Sequence, residues 1–422
     1  MSETKLAIHG GPKAVTLDPS TATCWPMIGK EDEDAVLEVL RSGDMSGTDI
    51  TKQWEKEFAE YLGVAHCLGY CNGTASLLGA MWACGLGAGD EIICPGMTYW
   101  ASALPCFQLG ATVVFADIDP DTLCIDPNDI ERHISERTKV IMVTHYAGYP
   151  ADMDSVMEIA VKHGLRVIED VSHAHGSLYE GRMTGSIGHA AGMSCMSAKS
   201  LPAAESGMLA TNDRVIYERA IAFGHYSRHD ELTEPDLLAN KGLPLGGVKH
   251  RANQLSSALG RVQLKHYAER ITEIQKAMNY FWDLLEDCPG IKPHRPAKDS
   301  GSTMGGWYAA KGLYRAEELG GLDIDTFCAA VNAEGASTAA GANIPLHMHP
   351  VLTAADVYNH GKPTRLAHAT RDVMQAPDDL PVAKNIRNIC FHIPWFKRFE
   401  KNIIEQHAAA FRKAAENADQ LT

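Results

Sequence analysis

The stretch RVIEDVSHAHGSLYEGRMTGSIGHAAGMSCMSAK, residues 166–199, carries the decisive reading of this chain. It opens with a short apolar, β-branched run that ends in two acids, and it closes with a second apolar run that leads into a lysine. Asp170 therefore stands where a parallel strand meets the crevice that binds ligands in open α/β folds. A helix N-cap is the structural alternative for the same residue. Lys199 follows 29 residues later. Alone, a lysine after a strand is an ordinary solvated side chain.

The pattern continues on both sides. From about residue 55 to 215, short apolar runs alternate with longer helical patterns, which predicts βαβ units around a mainly parallel sheet. Strands are expected at Glu91–Cys94, Thr112–Ala116, Val140–Thr144, Arg166–Glu169, Met193–Met196 and Met208–Thr211. Helices are expected near Ala75–Cys84, Trp100–Gln108, Asp152–His163 and Arg214–Ala222, and one long helix from Asn253 to Glu286. The Pro- and Gly-rich break CPGIKPHRPAKDSG, residues 288–301, suggests a boundary. The expected division is an arm over 1–30, a large α/β domain over 31–288, and a smaller C-terminal α/β domain over 289–422, in which LDIDTFCAAVNAEG reads as a capped helix.

The totals narrow the function. With 45% hydrophobic and 22% charged residues over 422 positions, the chain is composed as a folded enzyme. A formal charge of -15 argues against nucleic acid or an anionic membrane as partner, since both attract basic surfaces. The eleven cysteines are scattered without a CxxC pair, so neither a zinc site nor a disulfide framework is expected, and a cytoplasmic setting fits. The start lacks an export pattern and no run of about 18 apolar residues occurs, so neither export nor a membrane span is expected.

Asp170 and Lys199 acquire a joint meaning in pyridoxal phosphate chemistry. An amine forms the imine, and a carboxylate keeps the pyridine nitrogen protonated as an electron sink. The phosphate needs amides at a helix start, and Asn72-Gly73-Thr74-Ala75 opens a helical pattern directly after the strand-like HCLGYC. The same NGT is also a plain N-cap, and as a glycosylation sequon it is discounted for want of an export signal.

Seven ordered motifs make the resemblance specific: NGTASL (72–77), PGMTYWASA (95–103), DIDPDTLCIDP (117–127), VTHYAGYPADMD (143–154), EDVSHAHGS (169–177), SCMSAKSLPAAESGMLAT (194–211) and KHRANQLSSALGRVQL (249–264). Together they resemble the DegT/DnrJ/EryC1/StrS aminotransferases, pyridoxal phosphate enzymes of the aspartate aminotransferase type I fold that modify sugars and cyclitols. The resemblance implies Lys199 as the Schiff-base lysine and Asp170 as the partner of the pyridine nitrogen. It places His173 near the cofactor's phenolic oxygen and Tyr99 on the ring. Gly73, Thr74 and Ser194 match phosphate contacts. Arg251 and Asn253 fall in a loop that reaches a neighbouring subunit's site, which implies a homodimer. Core packing is the alternative for Tyr99, beside which Trp100 is a candidate substrate contact.

The sequence departs from the pattern in two places. The usual GEGG after the lysine reads Ala204-Glu205-Ser206-Gly207, and Lys249 replaces an Asn before Arg251. That lysine is read either as a contact to phosphate or an acidic substrate, or as a solvated surface residue. The resemblance further implies ping-pong transamination from glutamine or glutamate. GGPKAV (10–15), Trp25-Pro26, GHYSRH (224–229), IPLHMHPVL (344–352) and DLPVAKNIRNICFHIPWF (379–396) resemble the branch acting on keto-cyclitols such as scyllo-inosose more than the branch acting on nucleotide-linked sugars. His347 and His349 are read as candidate pocket residues, with no metal, since no third ligand is spaced nearby. The competing readings are a nucleotide-linked keto-sugar aminotransferase, a dehydratase-type relative and, from another class, a regulatory protein on the same fold.

Overall fold

The computed structural model describes residues 5–421. In chain order the strands are β1 His66–Tyr70, β2 Glu91–Pro95, β3 Thr112–Ala116, β4 Thr138–Thr144, β5 Arg166–Asp170, β6 Leu178–Tyr179, β7 Arg182–Met183, β8 Ala190–Ser194, β9 Gly207–Thr211, β10 Ile291–Pro293, β11 Lys311–Tyr314 and β12 Cys390–His392. The main sheet has the order β1-β9-β8-β5-β4-β2-β3. Its pairs are parallel from β3 through β8, while β9 runs against both β8 and β1. The mixed, mainly parallel α/β sheet expected from the alternating pattern is therefore present.

The strands read as unbroken apolar runs because both faces are covered. Ile92, Ile93, Val113, Val140, Ile141, Val143, Val167 and Ile168 are all fully buried. The helix Gly73–Ala83 packs on β8 and β9, and it is apolar on every side because it has no wet face. Six of the seven main strands, all but β9, point their carboxyl ends at one edge. Asp170 ends β5, Ser194 ends β8, and the chain leaving β1 enters the helix at Gly73.

Several local expectations shift. The segment Trp100–Gln108 is not an α-helix but two 3-10 turns, Trp100–Ser102 and Leu104–Leu109, with Pro105 in the first turn of the second. The long helix is broken at His266 into Gln254–Lys265 and Tyr267–Asp283. The break sets Tyr267 fully buried, where its hydroxyl donates to His175 O at 2.9 Å. The strand expected at Met193–Met196 begins earlier, at Ala190, because the register with β5 pairs Ile168 with Ala190.

A second sheet, β10-β11-β12, is antiparallel. The helix Lys401–Glu416 packs against Tyr267–Asp283 and against Ile324–Ala333, around Phe281, Trp282, Phe327, Phe391 and Phe411. Ile324–Ala333 is the capped helix expected there, with Asp323 accepting the amides of Asp325 and Thr326 at 3.0 and 3.1 Å. Near the N-terminus the chain lies along these helices, Ala7 N donating to Glu334 Oε1 at 2.7 Å and Thr16 N to Gln406 Oε1 at 2.8 Å. Between β11 and β12 the chain returns to the main sheet, where Leu346, Leu352, Val373, Leu380, Ala383 and Ile386 join its core. Among the described residues no helix is long and apolar enough to cross a membrane.

Candidate active site

A cavity of about 610 Å³ opens at the carboxyl edge of the main sheet. Its lining brings together Gly73, Thr74, Tyr99, Trp100, Asp170, His173, Ser194 and Lys199. These residues come from the ends of four strands, β1, β2, β5 and β8, which is why no short sequence window contains the site.

Asp170 is 4% exposed at the end of β5. Its Oδ2 accepts the Ser102 hydroxyl at 2.6 Å, and its Oδ1 accepts the Ser172 amide at 3.0 Å. Ser102 is itself within 3.0 Å of the Thr98 hydroxyl, which lies 3.1 Å from that of Thr144. The carboxylate is thus fixed by buried donors, and its charge is offset without a lysine or arginine bonded to it.

Lys199 sits in the connection between β8 and β9. Its own amide donates to Met196 O at 2.8 Å, and its carbonyl accepts the Trp25 indole at 2.9 Å. The ammonium lies 4.0 Å from the centre of the Tyr308 ring. Burial pulls the amine down to about 8, against the opposing attraction of Asp170. The amine is therefore much closer to neutrality at physiological pH than a surface lysine.

At the other side of the cavity, Asn72 Oδ1 accepts the Ala75 amide at 2.8 Å and Asn72 O accepts that of Ser76 at 3.2 Å. That leaves the amides of Gly73 and Thr74 as first-turn donors with no acceptor inside the helix. A Cβ on Gly73 would stand 2.7 Å from Ser194 Cα, so glycine is what lets the end of β8 touch the helix start. The Thr74 and Ser194 side chains share the cavity wall with these amides.

His173 is buried, and its Nδ1 accepts the Ala147 amide at 3.3 Å. With Nδ1 accepting, the neutral ring carries its proton on Nε2. Burial, and then the positive Lys199 and Lys311 nearby, hold it well below the usual histidine range. His173 is therefore a neutral donor.

The remaining candidates lie elsewhere in this chain. Asn253 caps Gln254–Lys265, its Oδ1 accepting the Ser256 amide at 2.9 Å, and Arg251 forms a bridge with Tyr70. Neither lines the cavity, though the adjacent His250 does. His349 accepts the Val351 amide and borders an adjoining groove of about 530 Å³ that shares Tyr99, Trp100 and Asn343 with the cavity. His347 is buried against Pro377 O, outside both. Among the described residues no group of three His, Cys, Asp or Glu side chains is placed to hold a metal ion.

Sequence reasoning missed Ser102, Tyr308 and Asn343. The Tyr308 ring also lies tilted against that of His173, 4.9 Å between centres, and Asn343 Oδ1 accepts the Tyr146 hydroxyl at 2.6 Å. The usable signal for Tyr308 was Gly305-Gly306 ahead of it. A Cβ on Gly306 would lie 2.3 Å from Ser200 Cβ, so the glycine marks where two loops touch.

A profile of the DegT/DnrJ/EryC1/StrS aminotransferase family matches residues 26–412. The chain belongs to that family. A 2-deoxy-scyllo-inosose aminotransferase of Streptomyces kanamyceticus using L-glutamine is 34% identical over 78% of this chain and 79% of its own. An L-glutamine:scyllo-inosose aminotransferase of Streptomyces griseus is 30% identical over the full length of both. Among solved structures, an aminotransferase from Psychrobacter cryohalolentis is similar with a TM-score of 0.80, at 27% identity over 94% of this chain and all of the other. Within this aminotransferase family the altered loop after Lys199 has a visible cost: Ala204 holds a φ of 56°, left-handed backbone that glycine adopts freely. Relief of that strain, about 1–2 kcal/mol, is partly offset by glycine's greater unfolded freedom. Ala204→Gly is therefore expected to be neutral or to stabilise by up to about 1 kcal/mol in urea unfolding. A loss of stability would show that the loop needs its methyl group.

Proposed function

We propose that this aminotransferase uses pyridoxal phosphate to move an amino group from L-glutamine or glutamate onto a keto-cyclitol of the scyllo-inosose kind. The observation that carries the reading is the convergence of the Lys199 amine and the buried Asp170 carboxylate on one cavity whose far wall is a helix start with two free amides. That set fits the cofactor: a carboxylate for the ring nitrogen, an amine for the aldehyde, and amides with hydroxyls for the phosphate. The names of the Streptomyces relatives support the donor and the acceptor.

When bound, the cofactor supplies an electrophilic carbon and a protonated ring that draws electrons from the bond being broken. The chain supplies the rest. Asp170, held by Ser102 and Ser172, would keep a proton on the ring nitrogen. Gly73, Thr74 and Ser194 would hold the phosphate, Tyr99 would cover the ring, and the His173 Nε2 proton would be available to the phenolic oxygen. Lys199 would take the proton from the donor's Cα and hand it back at the carbon on the far side of the transferring nitrogen. In a homodimer, Arg251 and Asn253 would serve the site of a second copy.

A base must be neutral to act. The amine near 8 therefore predicts single-turnover deamination of glutamine that rises with pH up to about 8 and flattens above it. Stopped-flow absorbance over that range checks this, and a flat profile would oppose it.

A second reading, a nucleotide-linked keto-sugar as acceptor, draws on the groove beside Tyr99 and Trp100, which has room for an appended group. One experiment separates them: add pyridoxal phosphate, bleach the visible band with L-glutamine, and seek its recovery with 2-deoxy-scyllo-inosose or with nucleotide keto-sugars. Failure to bleach with any amino donor would refute transamination itself.

A further inference from the structure

We infer that Trp25 is a positioning residue for Lys199, tying the main chain of the reactive lysine to a strap formed by residues 22–27. The inference rests on the reading of Lys199 as the amine that holds the cofactor.

A half-buried indole N–H normally finds an acceptor, so a bond from Trp25 is unremarkable by itself. Its acceptor is what matters. The Trp25 Nε1 donates at 2.9 Å to the carbonyl of Lys199, 174 positions away in sequence. With the Lys199 amide already bonded to Met196 O, both sides of the residue are fixed and only the side chain remains free to swing.

The strap is held from outside the sheet. Lys397 donates its amide to Ala22 O at 2.7 Å and its ammonium to Thr23 O at 2.9 Å, while Gln263 Nε2 reaches Met27 O at 3.2 Å. The Trp25 ring lies 5.6 Å from that of Trp395, and the Trp395 indole donates to Gly306 O at 3.0 Å. Trp395 also meets Tyr308 edge-on at 5.7 Å, and Tyr308 is the ring under the Lys199 ammonium. One tryptophan pair therefore braces both the main chain that carries the amine and the aromatic surface on which the amine rests. Loss of the indole donor lets the lysine backbone rotate and carries the amine away from the position shared with Asp170.

The test uses the full chain with Trp25→Phe, which keeps a ring against Trp395 and removes the donor. In protein stripped of cofactor, the pH dependence of Lys199 acylation by an activated ester is followed by peptide mass spectrometry, with Lys311 as the internal reference. In a second measurement, pyridoxal phosphate is titrated and the visible band recorded. Loss of one hydrogen bond of ordinary strength predicts about a fivefold rise in the half-saturating concentration. The acylation midpoint of Lys199 should move upward while that of Lys311 stays. Trp25→His, which restores a ring N–H, should recover part of both changes. Should Trp25→Phe not fold, benzothienylalanine at position 25 replaces only the N–H and yields the same comparison. Unchanged acylation and titration would overturn the inference. If the unsubstituted protein shows no visible band with pyridoxal phosphate, the cofactor reading fails, whereas the acylation profiles still decide the role of Trp25.

Discussion

Lys199→Ala is expected to lower the rate of transamination by about 10⁴-fold or more, because in the proposed mechanism one side chain both holds the cofactor and moves the proton. The folded state should survive. The amine is buried against the Tyr308 ring and among the described residues no carboxylate oxygen is hydrogen-bonded to it, so its removal strands no hydrogen-bond partner. The variant loses a group that burial makes reluctant to charge, which favours an unchanged or slightly higher melting temperature. Recovery of rate by added small amines would support the proton-transfer role. Turnover within tenfold of the unsubstituted enzyme would remove Lys199 from the mechanism.

Asp170→Asn should cost about 10²–10³-fold in the rate of proton transfer at Cα, by the usual worth of one preorganised electrostatic contact in a buried site. The amide is nearly isosteric, and its oxygen can still accept the Ser172 amide or the Ser102 hydroxyl. Stability should change little. The informative comparison is between rate and melting temperature: a large fall in the first with the second unmoved identifies a charge that acts on the ring and not on the fold. Equal kinetics would mean that the carboxylate is only a buried acceptor. A visible spectrum of the loaded variant shifted from that of the parent would locate the effect at the ring nitrogen.

The parts of this molecule written in local pattern were legible in the sequence. Short β-branched apolar runs such as RVIED and TVVFA fit strands covered on two faces, and an acid at the end of one falls at the sheet edge. Asp170, Lys199, Gly73 and Ser194 were found that way and by motif, and they meet in one cavity. What escaped depends on contacts between distant segments. Gly305-Gly306 marks a close approach beside Tyr308, but nothing in the local sequence says that the segment before β11 and the return segment after it line the Lys199 cavity. Ser102 was hidden because its role exists only where the turn after β2 meets the end of β5. The break at His266 was invisible because the apolar spacing continues across it, while the buried Tyr267 hydroxyl demands a change of direction. The two 3-10 turns at Trp100–Leu109 were missed because Pro105 was outweighed by the apolar spacing around it.

The return of residues 343–386 to the main sheet bears on how such proteins can be recombined. A chimaera joined near residue 288 would seem to exchange one compact half for another. Here that cut would strip Leu346, Leu352, Val373, Leu380, Ala383 and Ile386 from the large core and carry Asn343 away from Tyr146. The donor half would have to bring its own matching plug, or the acceptor would open onto water beside β2 and β3. The workable unit of exchange is the segment between β11 and β12, grafted as a loop onto an intact body, because it borders the pocket and its groove while both of its ends stay anchored in the small sheet.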